Sequence, residues 1–423
     1  MNRILFTSTA LGLVLSAGTA SAQITITLGG DQYFEFGYVD KQGNSPENAF
    51  RKTEIRDRVR LTVNASGKTD NGLEYGVRTR IRLRQQGVLD FDRSWAFVGG
   101  EWGQIQFGTT TGVDDRQKVF APNDYGTGGV DGSALEWFNG SVPASTPQRT
   151  GGDLAPIYSY AATKSTVGLP ASADSSFVPT RISYYSPRVA GFEFGVSYAP
   201  MNDSSGTDIN RNNFGGTNTV LGAPGFGGPI TQNSINYNFK DIWEAGVNYN
   251  DKFAGVLVKA NAAVISGNTK DSFQLGNGLA SSTTAPDAVI ATHHPLFGVQ
   301  TGIQAGYAGF TVGGGYMYFG NSGLAKPAVY NHADQYAWNV GIQYAISAYV
   351  VGAAYQHVED PGSPFGAGAK KLDHYVTGAR YIVTNGFDLN VEYNRLNLRN
   401  NGASGAPPEV DANIVLFRSN IAF

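Results

Sequence analysis

Between Arg51 and Gln86 the chain alternates apolar and polar residues with a period of two, interrupted by one turn. Over Arg51–Gly67 one face reads Ile55, Val59, Leu61, Val63 and Ala65, broken by Asp57, and the other reads Glu54, Arg56, Arg58, Arg60, Thr62 and Asn64. After Lys68-Thr-Asp-Asn-Gly72 the pattern resumes. Leu73, Tyr75, Val77, Thr79, Ile81 and Leu83 share one face, and Glu74, Gly76, Arg78, Arg80, Arg82 and Arg84 share the other. Successive side chains of a strand point to opposite faces, so two such runs around an Asp-Asn-Gly turn predict a β-hairpin. An arginine facing lipid at the bilayer midplane costs about 2–4 kcal/mol. The arginine face of this hairpin must therefore meet water, and the Leu/Val/Ile face must meet lipid or a protein core.

The same counting predicts strands over 23–40, 91–98, 104–110, 181–186, 192–199, 242–249, 256–266, 297–307, 310–319, 335–345, 349–358, 372–382 and 387–398. The chain ends on one more, in which Phe423, Ile421, Ser419, Phe417 and Val415 interleave with Ala422, Asn420, Arg418, Leu416 and Ile414. With the first hairpin this makes about sixteen antiparallel strands, an even number as bacterial membrane barrels require. Short turns such as Pro187–Gly191, Ala308-Gly309 and Thr384–Gly386 alternate with long segments rich in Gly, Ser, Asn, Asp and Pro, including 201–232 and 267–295. The longest break in the pattern runs from Thr111 to about Thr180. A loop of that length in a compact domain is usually functional.

At the amino terminus Arg3, the apolar run Ile4–Leu15 and the small residues Ala20-Ser21-Ala22 form a secretory signal peptide. Cleavage after Ala22 leaves 23–423, read as a single domain. No mature segment is an apolar run of about 18 residues, so no transmembrane helix is expected. Membrane residence, if it applies, comes from strands. The chain has no cysteine and a net charge of −3, one unit more negative once Arg3 is removed. An exported protein of this kind needs no disulfide framework.

Catalytic signatures are absent. The five histidines (His293, His294, His332, His357, His374) lack metal-ligand spacing. Gly195-Val-Ser-Tyr-Ala199 falls inside an alternating strand rather than a strand-to-helix elbow. Arginines confined to alternating strand faces in an acidic chain also argue against nucleic-acid binding.

Together, the leader, the hairpins, the Arg58/Arg60 and Arg78/Arg80/Arg82 ladder and the terminal Phe423 resemble a Gram-negative trimeric porin, most similar to the alphaproteobacterial general porins. That resemblance covers essentially the whole mature chain. It implies a homotrimer of sixteen-stranded outer-membrane barrels, in contact with lipid and lipopolysaccharide, passing small hydrophilic solutes and ions without a cofactor or metal. It also implies a third external loop folded into the pore, with acidic residues facing basic ones on the wall. Asp114, Asp115, Asp124 and Asp131 become the acidic candidates, and Arg58, Arg60, Arg78, Arg80 and Arg82 the basic ones. Arg93 shares parity with Trp95 and Phe97, expected toward lipid, and fits only if a bulge shifts it or it sits at the rim. Tyr33, Phe34, Phe36, Tyr38, Tyr316, Tyr318 and Phe319 are expected in aromatic girdles, with Tyr33 also open to a lumen position. An anion- or phosphate-selective porin is the first alternative, and a secreted β-sandwich binding protein or hydrolase the second.

Overall fold

The computed structural model describes residues 24–42, 51–83, 89–131, 134–139, 179–202, 239–270, 272–274, 289–323, 325–326, 334–360, 369–399 and 409–423. The expected leader and residues 140–178 of the long loop lie outside them. In chain order the strands are β1 (Thr25–Gln42), β2 (Thr53–Lys68), β3 (Glu74–Leu83), β4 (Leu89–Gly100), β5 (Gly103–Thr109), β6 (Thr180–Tyr185), β7 (Phe192–Met201), β8 (Phe239–Phe253), β9 (Val256–Thr269), β10 (Ser272–Gln274), β11 (Val289–His293), β12 (Leu296–Tyr307), β13 (Phe310–Gly320), β14 (Ala325–Lys326), β15 (Gln335–Ile346), β16 (Tyr349–Asp360), β17 (Lys370–Thr384), β18 (Phe387–Arg399) and β19 (Glu409–Ala422). Between β5 and β6 lie two short helices, α1 (Val113–Arg116) and α2 (Ala134–Asn139), with a 3-10 turn at Gly129–Asp131.

Sixteen strands close into one antiparallel barrel, β1 pairing with both β2 and β19. The carboxy-terminus seals the seam: Phe423 N–H donates to Gly30 O (3.0 Å) and Gly30 N–H to Phe423 O (2.8 Å). Closure removes every sheet edge, the condition under which strands can cross a bilayer. β10, β11 and β14 form a separate small sheet. The sequence pattern assigned the first two of these to a polar loop.

The short turns fall at one end of the barrel. In three of them an Ala-Gly pair takes the left-handed conformation at both residues: Ala190/Gly191, Ala254/Gly255 and Ala308/Gly309. Two such residues give the turn twist that matches the strands of a tight hairpin.

Alternation sorts the side chains as expected. Phe34, Ile55, Phe194, Ile303, Val312, Ile342 and Val351 are exposed on the outer face, while Glu35, Gln356, His374 and Glu392 are buried inside. One sector departs from this rule. On β16–β19 the inward positions are also apolar and fully buried: Val358, Leu372, Leu396, Leu398, Ala412, Ile414 and Leu416. They join Phe138 of α2 and Phe319 in one cluster. Phe319 is therefore core rather than girdle, and Tyr33, only 5% exposed, faces the lumen. An apolar inner wall is stable only when something covers it, and α2 is part of that cover.

Candidate functional site

The described residues 110–131 and 134–139 between β5 and β6 run along the inside of the wall, and side chains of successive strands hold their backbone. Val113 N–H donates to Glu244 Oε2 on β8 (2.5 Å) and Val119 N–H to Asn261 Oδ1 on β9 (3.0 Å). Ala121 N–H reaches Asn339 Oδ1 on β15 (2.8 Å), and Asp124 N–H reaches Gln343 Oε1 on the same strand (3.0 Å). Glu392 on β18 accepts from Thr127 N–H (2.8 Å), Thr127 Oγ1 (2.8 Å) and Gly129 N–H (3.0 Å). Arg418 on β19 donates to Thr127 O (3.1 Å), and Trp137 Nε1 donates to Glu35 Oε1 on β1 (2.6 Å). Irregular backbone inside a barrel must have its polar groups satisfied, and lumen-facing Asn, Gln and Glu supply the partners here.

Glycine on the wall lets the segment lie flat. A Cβ at Gly302 would stand 1.8 Å from Val119 O, one at Gly352 would stand 2.2 Å from the Tyr125 ring, and one at Gly37 would stand 2.5 Å from the Trp137 ring. These gaps are too small for any side chain. Glycines on β12, β13 and β15–β17 thus recess the wall into a shelf under the segment, and β3–β5 lie on the other side of the lumen.

The first anchor is a buried ion pair. Arg181 Nη1 on β6 donates to Glu244 Oε1 at 2.6 Å, both side chains having no exposed surface, and Ser197 Oγ donates to Glu244 Oε2 at 3.1 Å. Asp114 packs beside them. Burial, then the neighbouring Glu244 and Asp115 charges, push its carboxyl well above the usual range, against the opposing pull of Arg181. A raised carboxyl pKa favours the folded state while the group is protonated. The contribution is complete below the ordinary carboxylate range and is lost as pH rises through the raised folded value. Wild type is accordingly expected to lose stability relative to Asp114→Asn as pH climbs from about 4. Thermal unfolding of both proteins across that range checks this, and a pH-independent difference would refute it.

The last anchor sits on β1. Glu35, fully buried, accepts from Arg56 (2.6 Å) and Arg418 (2.6 Å) besides Trp137. The guanidinium groups of Arg58 and Arg418 lie 4.5 and 4.1 Å from the Tyr33 ring centre, within the range of cation–π attraction. Arg58 also pairs with Asp31 at 2.9 Å.

The residues expected at the constriction divide between two walls. Arg58, Arg60, Arg78, Arg80 and Arg82 fall on the inward face of β2 and β3, with Arg60 directly opposite Arg82. Among the acidic candidates, Asp115 pairs with Lys118 (3.4 Å) and Asp124 Oδ2 accepts from Gln343 (2.8 Å). Asp114 is buried beside Arg181 and Glu244. Asp131 closes the 3-10 turn. The contacts found for Asp114, Asp115 and Asp124 are thus with the shelf side and their own segment, and Arg116 stands exposed over the Tyr185 ring at 3.5 Å.

One wall residue moves from its expected face. The β3–β4 register pairs Ile81 with Phe91 but Arg80 with Arg93, leaving Asp92 as an extra residue. That bulge inverts the parity beyond it. Arg93, Trp95 and Phe97 therefore share the inward face with Arg80, Arg78 and Gly76, correcting the placement of Trp95 and Phe97 toward lipid. The sequence reading also passed over Arg56, Arg181, Arg418, Glu35, Glu244 and Glu392. Their legible signal is a charge at an inward position of a strand, which marks wall but does not name a partner.

Comparison with known proteins agrees with this architecture. The family described as Gram-negative porin matches residues 7–401. An uncharacterized protein of Rickettsia felis is 25% identical over 279 residues, which span 59% of this chain and 61% of that relative. Among solved structures, a loop L8 deletion mutant of OmpT, an outer-membrane protein of Vibrio cholerae, shares 12% identity at a TM-score of 0.54, covering 95% of this chain and 99% of that one. A mutant of Rh. blastica porin shares 13% identity at 0.53, covering 94% and 100%. At these identities the two structures speak to the fold.

Proposed function

The chain belongs to the Gram-negative porin family, an outer-membrane channel of sixteen strands, and from that premise we propose a passive diffusion pathway with an arginine-rich side, called the charged side, and an acidic segment facing it. The charged side is the wall of Arg58, Arg60, Arg78, Arg80 and Arg82, extended by Arg93. The other side is the segment carrying Asp114, Asp115, Asp124 and Asp131. Small hydrophilic solutes and ions pass between them down their gradients.

The observation that carries this reading is the path of the segment. Its carboxylates at 114, 115 and 124 have partners on the shelf or nearby, and the inward face of β2–β4 gathers the arginines, with Arg80 across from Arg93 and Arg60 across from Arg82. Like charges directly opposite on a sheet are destabilising, so their retention favours a role for the field they create. Rings of fixed charge set ion preference in pores. The favoured variant is therefore an anion-preferring channel. The test is the zero-current potential of refolded protein in a planar bilayer under a tenfold KCl gradient. A potential displaced toward the chloride limit, about 59 mV, is expected, and a value near zero would mean that acidic groups balance the arginines.

We propose further that the chain assembles as a homotrimer through β1–β6. The outer face there carries Asp57, exposed opposite Phe34, and a row of hydroxyls in register: Thr79, Ser94, Thr109 and Thr180. By contrast β7, β12 and β15 present Phe194, Ile303 and Ile342 outward. A carboxylate is poorly suited to lipid, so a protein partner better accounts for this sector. Asp57→Arg is expected to convert an SDS-resistant oligomer into folded monomers on unheated gels. Unchanged migration of the oligomer would remove β2 from the interface.

A further inference from the structure

Trp95 lies at mid-height on β4, half-buried, on the lumen face. The Asp92 bulge alone put it there, since without the extra residue its parity would send it to lipid. The guanidinium of Arg78, itself exposed, lies 5.4 Å from the Trp95 ring centre. One residue pair toward the external end, Arg80 and Arg93 stand side by side. One pair toward the turns, Phe97 lies over Gly76, where a Cβ would come within 2.8 Å of the ring. On the other flank Gly108, at φ +136°, meets Trp95, and a Cβ there would fall 2.7 Å from Trp95 Cα and 2.5 Å from Ser94 O. Each ring thus has a glycine on one flank, Gly108 beside Trp95 and Gly76 beside Phe97. The hydrogen bonds that tie residues 113–129 to the wall go to β7–β9, β12, β15, β18 and β19.

We propose that Trp95, with Phe97 and the Arg78 guanidinium group, forms a ledge in the pathway that selects small anions carrying a ring. This deepens the reading of β2–β4 as the charged wall and rests on it. A ring face covers the half-exposed indole, gaining apolar contact that a water-lined wall otherwise leaves unused. The Arg78 fork takes the solute's phosphate or carboxylate, which it matches in shape and charge. Anions without a ring meet only the second half of this arrangement. The ledge therefore separates solutes of equal charge by the presence of a ring, which an arginine wall alone does not do.

The test is block of the single-channel current by phenyl phosphate and by inorganic phosphate in bilayers holding the refolded full chain. Wild type is expected to be half-blocked by phenyl phosphate at about one-tenth the concentration of inorganic phosphate needed. Trp95→Ala closes that gap with the zero-current potential in KCl unchanged, and Trp95→Phe keeps most of it. Equal block by the two phosphates in wild type overturns the ledge without recourse to any variant, as does a gap that survives Trp95→Ala. The KCl potential, read in the same membranes, reports on the arginine wall. A chloride-directed potential without ring preference removes the ledge alone, whereas a potential near zero removes the wall reading beneath it.

Discussion

Glu244→Gln is expected to destabilise the folded barrel by about 3–5 kcal/mol, the usual result of stripping the partner from a buried charge. Glu244 takes the Arg181 guanidinium, the Ser197 hydroxyl and the Val113 N–H in a space with no solvent exposure. An amide keeps the volume but leaves the Arg181 charge uncompensated and offers one acceptor for three donors. The same change loosens α1, whose first residue is one of those donors, so the open-channel current should become larger and noisier. Replacing both partners, Arg181→Met with Glu244→Leu, should recover most of the stability, because a buried pair exchanged for apolar groups is often neutral. Recovery stops short of complete, since Val113 N–H then lacks its acceptor at a cost of about 1–3 kcal/mol. Urea unfolding of the three proteins with single-channel recording provides the check. A Glu244→Gln protein matching wild type in both would show that the segment does not depend on this anchor.

Combined Arg78→Glu, Arg80→Glu and Arg82→Glu should reverse the zero-current potential from the chloride side to the potassium side. These residues occupy alternate positions on the inward face of β3, each about 7 Å from the next and so within one screening length of it, about 10 Å at 0.1 M salt. The substituted carboxylates at positions 80 and 82 would face Arg93 and Arg60 directly. Two like-charge pairs thus become opposite-charge pairs, the register puts position 82 opposite Asp90 on β4 as a new like-charge pair, and the sign of the wall's field reverses. Migration of the folded barrel on unheated gels separates a selectivity change from misassembly. Arg→Gln at the same three positions should bring the potential only toward zero. A triple carboxylate variant that still favours chloride would place the selectivity determinant elsewhere, with Arg58 or Arg116 the next to examine.

The signal that could have located the segment lies in the last strands. Val410, Ala412, Ile414 and Leu416 alternate with Asp411, Asn413, Val415 and Phe417, so over 414–417 both faces are apolar. Leu396 and Leu398 add inward apolar positions on the neighbouring strand. A barrel wall wet on its inner side has no reason to be apolar on both faces. Read that way, the pattern marks the side on which the inner wall is covered, although not by what.

The sequence by itself determined the barrel: the strand number, the face each arginine takes on β2 and β3, and the position of the long segment after β5. These follow from a period of two and from the cost of placing arginine in lipid, both local properties of a strand. The tertiary structure alone decided which carboxylates meet which wall. Glu392 and Thr127 lie 265 positions apart in the chain, and no periodicity links an inward side chain to the backbone that will lie against it. It also decided the faces of Arg93, Trp95 and Phe97, because one extra residue at Asp92 inverts parity without leaving a mark in composition. The local rule holds up to such a bulge, and long-range packing determines what lies beyond it.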